Sequence, residues 1–464
     1  MNSFSPTEDT IAAIATAVSP GQGSIAVIRV SGPSAIEVSK NIVDIPGIHH
    51  WNTHKVLYGH VTEANQKRYI DEVLILIMKG PRSFTGEDVV EIHCHGGIIA
   101  VQKILERLLD SPNVRRAEPG EFSQRAVLNG RLSLTQAESI SELISARSRK
   151  AAELAINGIE GNIQKTIQSI RQRLLEQLTE IEARVDFEED LPNLEEENVK
   201  NEIMAIKDRI YELIENAKRG SWVRSGLKVA LIGKPNVGKS SLMNRFSKKE
   251  KAIVTDLPGT TRDLLESEIV LEGIPVTFID TAGIRETKNF IEQIGISKTQ
   301  QALKQTDIIV LIFDYSKGWT NEDESIRKQM PTNIPLLIVG NKSDLSDNHS
   351  LKKDNKNILD RESIIIISAK TGQGEEDLIH SLLKLCGSSK TYGLDIALNE
   401  RQLDLAKSAM NSLQNIDQVF EAKLPWDFWT IDLRQSINHL SELTGDDLTE
   451  SLLDNIFSKF CIGK

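Results

Sequence analysis

Residues 233–241 read GKPNVGKSS and concentrate more chemistry than any other stretch of the chain. They follow the apolar run LKVALI and fit G-x-x-x-x-G-K-[ST], a loop whose backbone N–H groups wrap phosphate at the start of a helix. Gly233 and Gly238 let the main chain approach an anion, with Asn236 and Val237 between them. Lys239 is the cation for β- and γ-phosphates, Ser240 offers a magnesium ligand, and Ser241 continues the turn.

Three further signals follow in the order that guanine-nucleotide chemistry requires. DTAG (Asp280, Thr281, Ala282, Gly283) ends an apolar run: Asp280 is placed to hold magnesium through water and the Gly283 amide to meet the γ-phosphate. NKSD brings Asn341, Lys342 and Asp344. A carboxylate at 344 accepts from both the ring N–H and the exocyclic amine of guanine, and adenine offers neither donor. SAK (Ser368, Ala369, Lys370) supplies a backbone donor to the guanine oxygen. Between the first two signals lies TDLPGTTRD, where Thr261 is the expected second hydroxyl on magnesium and Thr260 the other candidate. Ile284 stands where Ras-like GTPases carry a water-orienting Gln, so help with the attacking water must come from elsewhere. Arg285, Glu286 and Glu292 are the nearby polar candidates, each of which also reads as a solvated side chain.

The elements that must position these residues are legible from periodicity. LKVALIG, VTFID, DIIVLIFD, PLLIVGN and SIIIISA alternate with helical segments, the mark of a largely parallel sheet with helices on both faces. Upstream, SIAVIRVSG, EVLILIM and DVVEIHCHGG read as strands. Thr135 and Glu138 form a capping-box spacing. Ile163, Ile167, Ile170, Leu174, Leu178, Ile181 and Val185 make one helical stripe, broken by an acidic linker around Pro192. Val199, Ile203, Ile206, Ile210 and Leu213 make a second. Leu403, Ala406, Met410 and Leu413, then Leu448, Leu452, Ile456 and Phe460, resume the helical pattern. The expected fold is multidomain α+β and α/β. Its parts are residues 1–118, a helical region split into 119–222 and 389–464, and a P-loop α/β domain inserted at 223–388.

Composition narrows the class. The 464 residues are 39% hydrophobic and 26% charged, with net charge −11 and three cysteines, Cys94, Cys386 and Cys461. That is an ordinary globular composition with no disulfide framework, suited to a reducing cytoplasm. No apolar run approaches membrane-spanning length. The negative balance argues against tight autonomous binding of nucleic acid. If RNA is the substrate, a local patch or a basic partner must supply the attraction; the basic cluster from Arg115 to Lys150 is either such a patch or a solvated surface. His93 and His95 share a strand face but are two ligands at most, which reads as structural rather than as a zinc site.

The whole chain resembles a known family. Ile284 groups the inserted domain with the Era- and Der-like GTPases of the TrmE-Era-EngA-YihA-Septin-like superfamily. Its place inside a helical region, PGEFSQRAVLNGRLSLTQAE, and the final Cys-Ile-Gly-Lys resemble the MnmE (TrmE) family of tRNA-modifying GTPases, from DTIAAIATAVSPGQGSIAVIRVSG through Lys464. The resemblance implies a Ras-like G domain and a homodimer whose first domain is similar to folate-binding aminomethyl-transfer domains. It also implies tRNA as substrate and a flavin (FAD)-dependent partner, MnmG. The chemistry implied is addition of an aminomethyl or carboxymethylaminomethyl group at carbon 5 of wobble uridine, the one-carbon unit coming from 5,10-methylene-tetrahydrofolate. Folate contacts carry over to Arg29, Glu91, Arg131 and Lys464, although Arg131 stands where some members have Lys and Ser133 where Asp is common. Glu292 carries over as the water-positioning carboxylate. Asn236, the carbonyls of Thr255 and Leu257, and Thr260 carry over as a potassium shell. Cys461 is either a thiol near the folate or a small residue ordering the chain end. The rival reading is an RNA-binding regulatory or ribosome-assembly switch that does nothing beyond GTP hydrolysis.

Overall fold

A computed structural model of the chain describes residues 9–19, 21, 23–64, 68–187, 191–192, 194–246, 266–280, 306–345, 364–385, 394–422, 424–446, 449–460 and 462–463. The chain divides into two compact units, residues 1–141 with 441–464 and residues 142–440. Among the described residues no helix is long and apolar enough to cross a membrane.

Period-two alternation builds the first unit. Strands β1 (Thr10–Ile14), β2 (Ile25–Ser31), β3 (Val43–Asp44), β4 (Lys55–Thr62), β5 (Tyr69–Met78), β6 (Val89–His95) and β7 (Val114–Arg116) form one sheet, ordered β3-β4-β5-β6-β2-β1-β7. Only β1 and β7 pair in parallel. On one face Ala26, Ile28 and Val30 of β2 and Val90, Ile92 and Cys94 of β6 are buried together with Val101, Ile104 and Leu108 of a helix, α2 below. The intervening residues, Arg29 on β2 and Glu91 and His93 on β6, therefore share the opposite face. Helices α1 (Ala35–Ile42) and α2 (Ile98–Leu109) cover the apolar side. The sequence pattern identifies β2, β5 and β6. It misses β1, β3, β4 and β7, which are short or alternate with exposed apolar residues such as Val56 and Tyr58.

Two helical details depart from expectation. Helices α3 (Glu121–Leu128) and α4 (Leu134–Ser145) pack with the helix Glu450–Phe457 around Val127, Leu134, Ala137, Leu453 and Phe457. The expected row through Leu452, Ile456 and Phe460 is only half-buried, and Leu448 lies outside the described residues. Adjacent i, i+4 rows fit a 3.6-residue period equally well, and the packing partner selects between them. The capping box at α4 is Ser133 with Gln136, not Thr135 with Glu138. The Gln136 N–H donates to Ser133 Oγ at 3.2 Å, and the Ser133 N–H donates to Gln136 Oε1 at 2.9 Å. Thr135 is instead buried inside the helix. Gly120 enters α3 with φ 69°, and a Cβ there would lie 2.6 Å from the Phe457 carbonyl oxygen, so glycine is required twice over.

The second unit begins with α5 (Arg149–Ile159), α6 (Asn162–Asp186) and α7 (Glu196–Ser225). The α6 stripe from Ile163 to Ile181 is buried as expected, whereas Val185 is exposed in the last turn. On α7, Val199 through Leu213 are buried and the helix continues to Ser225, directly before the sheet. The helix Glu400–Glu421 packs on α7, with Ala406, Met410 and Leu413 buried and Leu403 half-buried. Gly220 sits so close to Ala397 that any side chain there would collide with it.

Strands β8 (Leu227–Ile232), β9 (Glu266–Leu271), β10 (Ile274–Asp280), β11 (Ile308–Asp314), β12 (Leu336–Asn341) and β13 (Ile364–Ile366) form the second sheet, ordered β13-β12-β11-β8-β10-β9. All pairs are parallel except the β9–β10 hairpin. That hairpin turns at Glu272 and Gly273, both at positive φ as a two-residue turn demands. Every residue of β11 is buried, which explains its unbroken apolar run. Because β8 lies between β10 and β11, the chain leaves it at the point where strand order reverses. Open α/β sheets bind ligands in that crevice.

Candidate functional site

The loop after β8 is shaped by contacts that only its own residues permit. Gly233 has φ 154°, and a Cβ there would collide with the Ile312 carbonyl of β11. Gly238 has φ 99°, and a Cβ would strike the Asn341 amide. Asn236 is left-handed at φ 62°, a conformation Asn adopts more readily than most residues. That alone accounts for an Asn at this position, whatever else its amide does. Val237 is buried and anchors the loop. Lys239 opens α8 (Lys239–Phe246) with only 6% exposure, and its ammonium donates to the carbonyls of Gly233 and Lys234, each at 2.9 Å. Ser240 and Ser241 are exposed on the first helical turn, where a phosphate-bound metal would need a hydroxyl.

Asn341 at the end of β12 joins the phosphate loop to the base loop. Its amide N–H donates to Val237 O at 2.8 Å, and its oxygen accepts from the Ala369 N–H at 2.9 Å. Asp344 lies on the turn Ser343–Leu345 and accepts at 2.7 Å from the hydroxyl of buried Ser368. The same hydroxyl accepts from the Thr371 N–H at 3.1 Å, closing the SAK turn. Lys370 is exposed, and its carbonyl accepts from Arg245 of α8 at 3.5 Å. Arg245 also pairs with Glu375 at 2.7 Å, and a Cβ on Gly372 would collide with its guanidinium. These contacts tie the phosphate loop, the NKSD turn and the SAK turn into one frame.

Sequence reading missed Asp314, the acid that ends the otherwise apolar β11. It accepts the Lys342 ammonium at 2.8 Å and the Ser316 hydroxyl at 2.6 Å. Burial pushes the Asp314 carboxyl up, but Lys342 and Ser316 outweigh it, and the group stays below the usual carboxylate range. Lys342 itself is left-handed at φ 70°, a conformation this salt bridge helps to hold. The signal available in the sequence was a carboxylate placed where a buried strand meets a loop.

Asp280 closes β10 as expected. Thr255, Leu257, Thr260, Thr261, Thr281, Ala282, Gly283, Ile284, Arg285, Glu286 and Glu292 lie outside the described residues, as do Cys386, Cys461 and Lys464.

The first unit carries a second cluster. Arg29 and Glu91 are partners in the β2–β6 register, and Glu91 Oε1 accepts from Arg29 Nε at 2.9 Å and Nη2 at 2.8 Å. The guanidinium lies 5.1 Å from the Phe84 ring centre and 5.7 Å from that of Phe122. His93 Nε2 is 3.5 Å from the other Glu91 oxygen. His95 instead pairs with Asp71 at 2.7 Å, so the two histidines serve different carboxylates. No group of three or more His, Cys, Asp or Glu among the described residues is arranged as metal ligands. Arg131 is exposed in the turn after α3, its N–H donating to Ala126 O at 2.8 Å. Gly463 packs on Ile14 and Ala15 at φ 91°, beside the strand whose Ala13 is the register partner of Arg29. Cys94 is a core residue whose burial, with the Asp71 carboxylate nearby, pushes the thiol up to about 12.

Behind Phe122, two arginines of the expected basic surface are consumed inside the unit. Arg125, 2% exposed, meets Asp9 at 2.8 Å, Glu121 at 3.0 Å and Glu87 at 3.3 Å. Arg115 bonds Asp9 at 2.6 Å and Glu121 at 2.5 Å. Burial pushes Glu121 and Asp9 up, yet the two guanidiniums hold both carboxyls below their ordinary range.

Two family models together cover most of the chain. Residues 134–461 match the MnmE helical domain family, and residues 10–131 match the family described as GTP-binding protein TrmE N-terminus. The tRNA modification GTPase MnmE of Prochlorococcus marinus strain NATL2A is 81% identical over 464 residues, covering 100% of both chains. That of strain MIT 9303 is 59% identical, again over 100% of both. Among solved structures, an Aquifex aeolicus Era variant bound to GDP.AlF4- is 28% identical over 40% of this chain and 66% of that one. Its TM-score of 0.28 says nothing of the overall arrangement. With a helical-domain match over most of its length and full-length relatives of such identity, this chain belongs to the MnmE family of tRNA modification GTPases.

Proposed function

We propose that the chain hydrolyses GTP in order to drive modification of tRNA at carbon 5 of the wobble uridine. The observation that carries the nucleotide half is Asn341, whose one amide bonds both Val237 of the phosphate loop and Ala369 of the base loop. Such a bridge is of use where phosphate and guanine must be read by one rigid frame. Lys239 meets the phosphates, Ser240 and Thr261 hold magnesium, and magnesium supplies charge neutralisation at the transferred phosphoryl group. In this reading Asn236, with Thr255, Leu257 and Thr260, would hold potassium, and Glu292 would orient the attacking water.

The modification half rests on the first unit. Arg29 and Glu91 pair beside the half-buried Phe84 ring, which brings a carboxylate, a guanidinium and an apolar face together. A pterin presents an amidine edge to a carboxylate and a flat face to aromatic rings, and its glutamyl tail suits cations. Arg131 and Lys464 are the further folate contacts in this reading, with methylene-tetrahydrofolate as donor. A homodimer and a flavin-dependent partner complete the machinery, and the exposed Val56, Tyr58, Tyr69 and Leu74 of β4 and β5 are consistent with a covered sheet face. In this reading the G domain, 223–388, is inserted in a helical domain. Mass spectrometry of tRNA from cells lacking this protein tests the proposal. Loss of the carbon-5 substituent from wobble uridines is expected, and an unchanged modification profile would overturn it.

A further inference from the structure

Lys234, the second residue of the phosphate loop, is held at both ends. Its carbonyl accepts from the Lys239 ammonium at 2.9 Å. Its own ammonium donates to Thr320 Oγ1 at 2.7 Å and pairs with Asp323 Oδ2 at 3.0 Å, with Glu322 farther out at 3.8 Å. The phosphate-loop pattern leaves this second position open, so a long cation there is not demanded by the loop itself. Pro235 follows and restricts the backbone of Lys234, while Asn236 is left-handed.

The anchor is costly in a way that simple helix capping does not require. Thr320 and Asp323 form the capping box of the helix Asn321–Lys328. The Thr320 N–H and Oγ1 donate to Asp323 Oδ2 at 2.9 and 2.6 Å, and the Asp323 N–H donates to Thr320 Oγ1 at 3.4 Å. Capping boxes work on exposed helix ends. Here the carboxylate is 1% exposed, and its Oδ1 has no hydrogen-bond partner among the described residues. Burying an incompletely satisfied carboxylate is unfavourable unless a charge partner compensates, and Lys234 is that partner.

We propose that Lys234, clamped by Asp323 and Thr320, is a positioning residue that sets where the Lys239 ammonium stands. The inference rests on reading Lys239 as the phosphate lysine. The Lys234 carbonyl is one of the oxygens that hold that ammonium among the described residues, so releasing the Lys234 side chain loosens part of its mount. Displacement of a catalytic charge by about 1 Å costs rate far more than it costs ground-state binding.

The test uses the full chain, with steady-state GTP hydrolysis and thermal unfolding measured side by side. Lys234→Met removes the ammonium, and Lys234→Met with Asp323→Asn removes both charges, leaving no buried charge unpaired. The expected result is kcat lowered by about tenfold or more in both variants, with KM within about twofold. The double variant is expected to melt near the parent temperature, and Lys234→Arg to recover much of the lost kcat. Equal kcat in parent and double variant, or kcat falling only in step with the melting temperature, overturns the positioning role. Lys239→Ala separates the two levels of the argument. If it hydrolyses GTP normally, the phosphate reading itself fails; if it is inactive while Lys234→Met is fully active, only this inference fails.

Discussion

Asp344 and Ser368 come from different loops, yet the Ser368 hydroxyl donates to Asp344 Oδ1 at 2.7 Å. The bond holds the carboxylate plane and ties it to the SAK turn, whose Ala369 N–H donates to Asn341 Oδ1 at 2.9 Å. Asp344→Asn replaces an acceptor pair by a mixed donor and acceptor. GTP affinity is expected to fall about 10- to 100-fold while xanthosine triphosphate becomes a better ligand. Competition binding checks this, and unchanged guanine preference would dismiss Asp344 as the base-reading group.

The loop geometry leaves two reasons for Asn236, a left-handed backbone and a cation ligand. They separate by experiment. With a cation shell, hydrolysis in potassium exceeds that in sodium by about tenfold or more, and Asn236→Ala removes the difference. Asn236→Gly keeps the backbone freedom and loses the ligand, so it behaves like Asn236→Ala. Retention of the potassium effect in the Gly variant would assign Asn236 to backbone geometry alone.

Glu292→Ala is expected to bind GTP as the parent does and to hydrolyse it roughly 10²- to 10⁴-fold more slowly. Single-turnover kinetics with saturating enzyme reads the chemical step directly. Turnover near the parent rate would move the role to Glu286 or to a partner protein.

Removing the Arg29 guanidinium leaves Glu91 without its 2.8 Å partner. Arg29→Ala is expected to weaken binding of 5-formyl-tetrahydrofolate by about 10- to 100-fold, as loss of a charge-assisted bond would, and to leave GTP affinity unchanged. Calorimetry on the intact chain without nucleotide measures both. No folate heat in the parent protein would remove the folate reading altogether.

Acid should loosen the first unit. Glu121 and Asp9 have folded-state pKa values below their ordinary ones. Their contribution is therefore fully present above the unfolded values near ~4 and is lost as pH falls through the folded values. Glu121→Gln removes one of the carboxylates paired with the buried Arg125, which keeps Asp9 and Glu87, and is expected to cost about 2 kcal/mol at pH 7. The variant should also lose less stability than the parent between pH 5 and pH 3, because one linked proton is gone. Urea unfolding followed at several pH values tests both, and parallel pH dependence in the two proteins would contradict the linkage.

What the sequence determined by itself was whatever depends on near neighbours. The phosphate loop, NKSD and SAK are legible because each serves its ligand with residues a few positions apart, at the ends of apolar runs that can only be buried strands. The stripes of α6 and α7 are legible because a 3.6-residue period leaves few alternatives over six turns. Tertiary structure decided the rest, and in each case the reason is distance along the chain. Arg29 faces Glu91 because β2 and β6 pair in one register; a slip of one residue would send both side chains to the other face. Arg125 reaches Asp9, 116 residues away, and Lys234 reaches Thr320, 86 residues away, through contacts no local pattern encodes. Leu453 rather than Leu452 is buried because both rows fit the helical period and only the packed partner, from residues 127–137, distinguishes them.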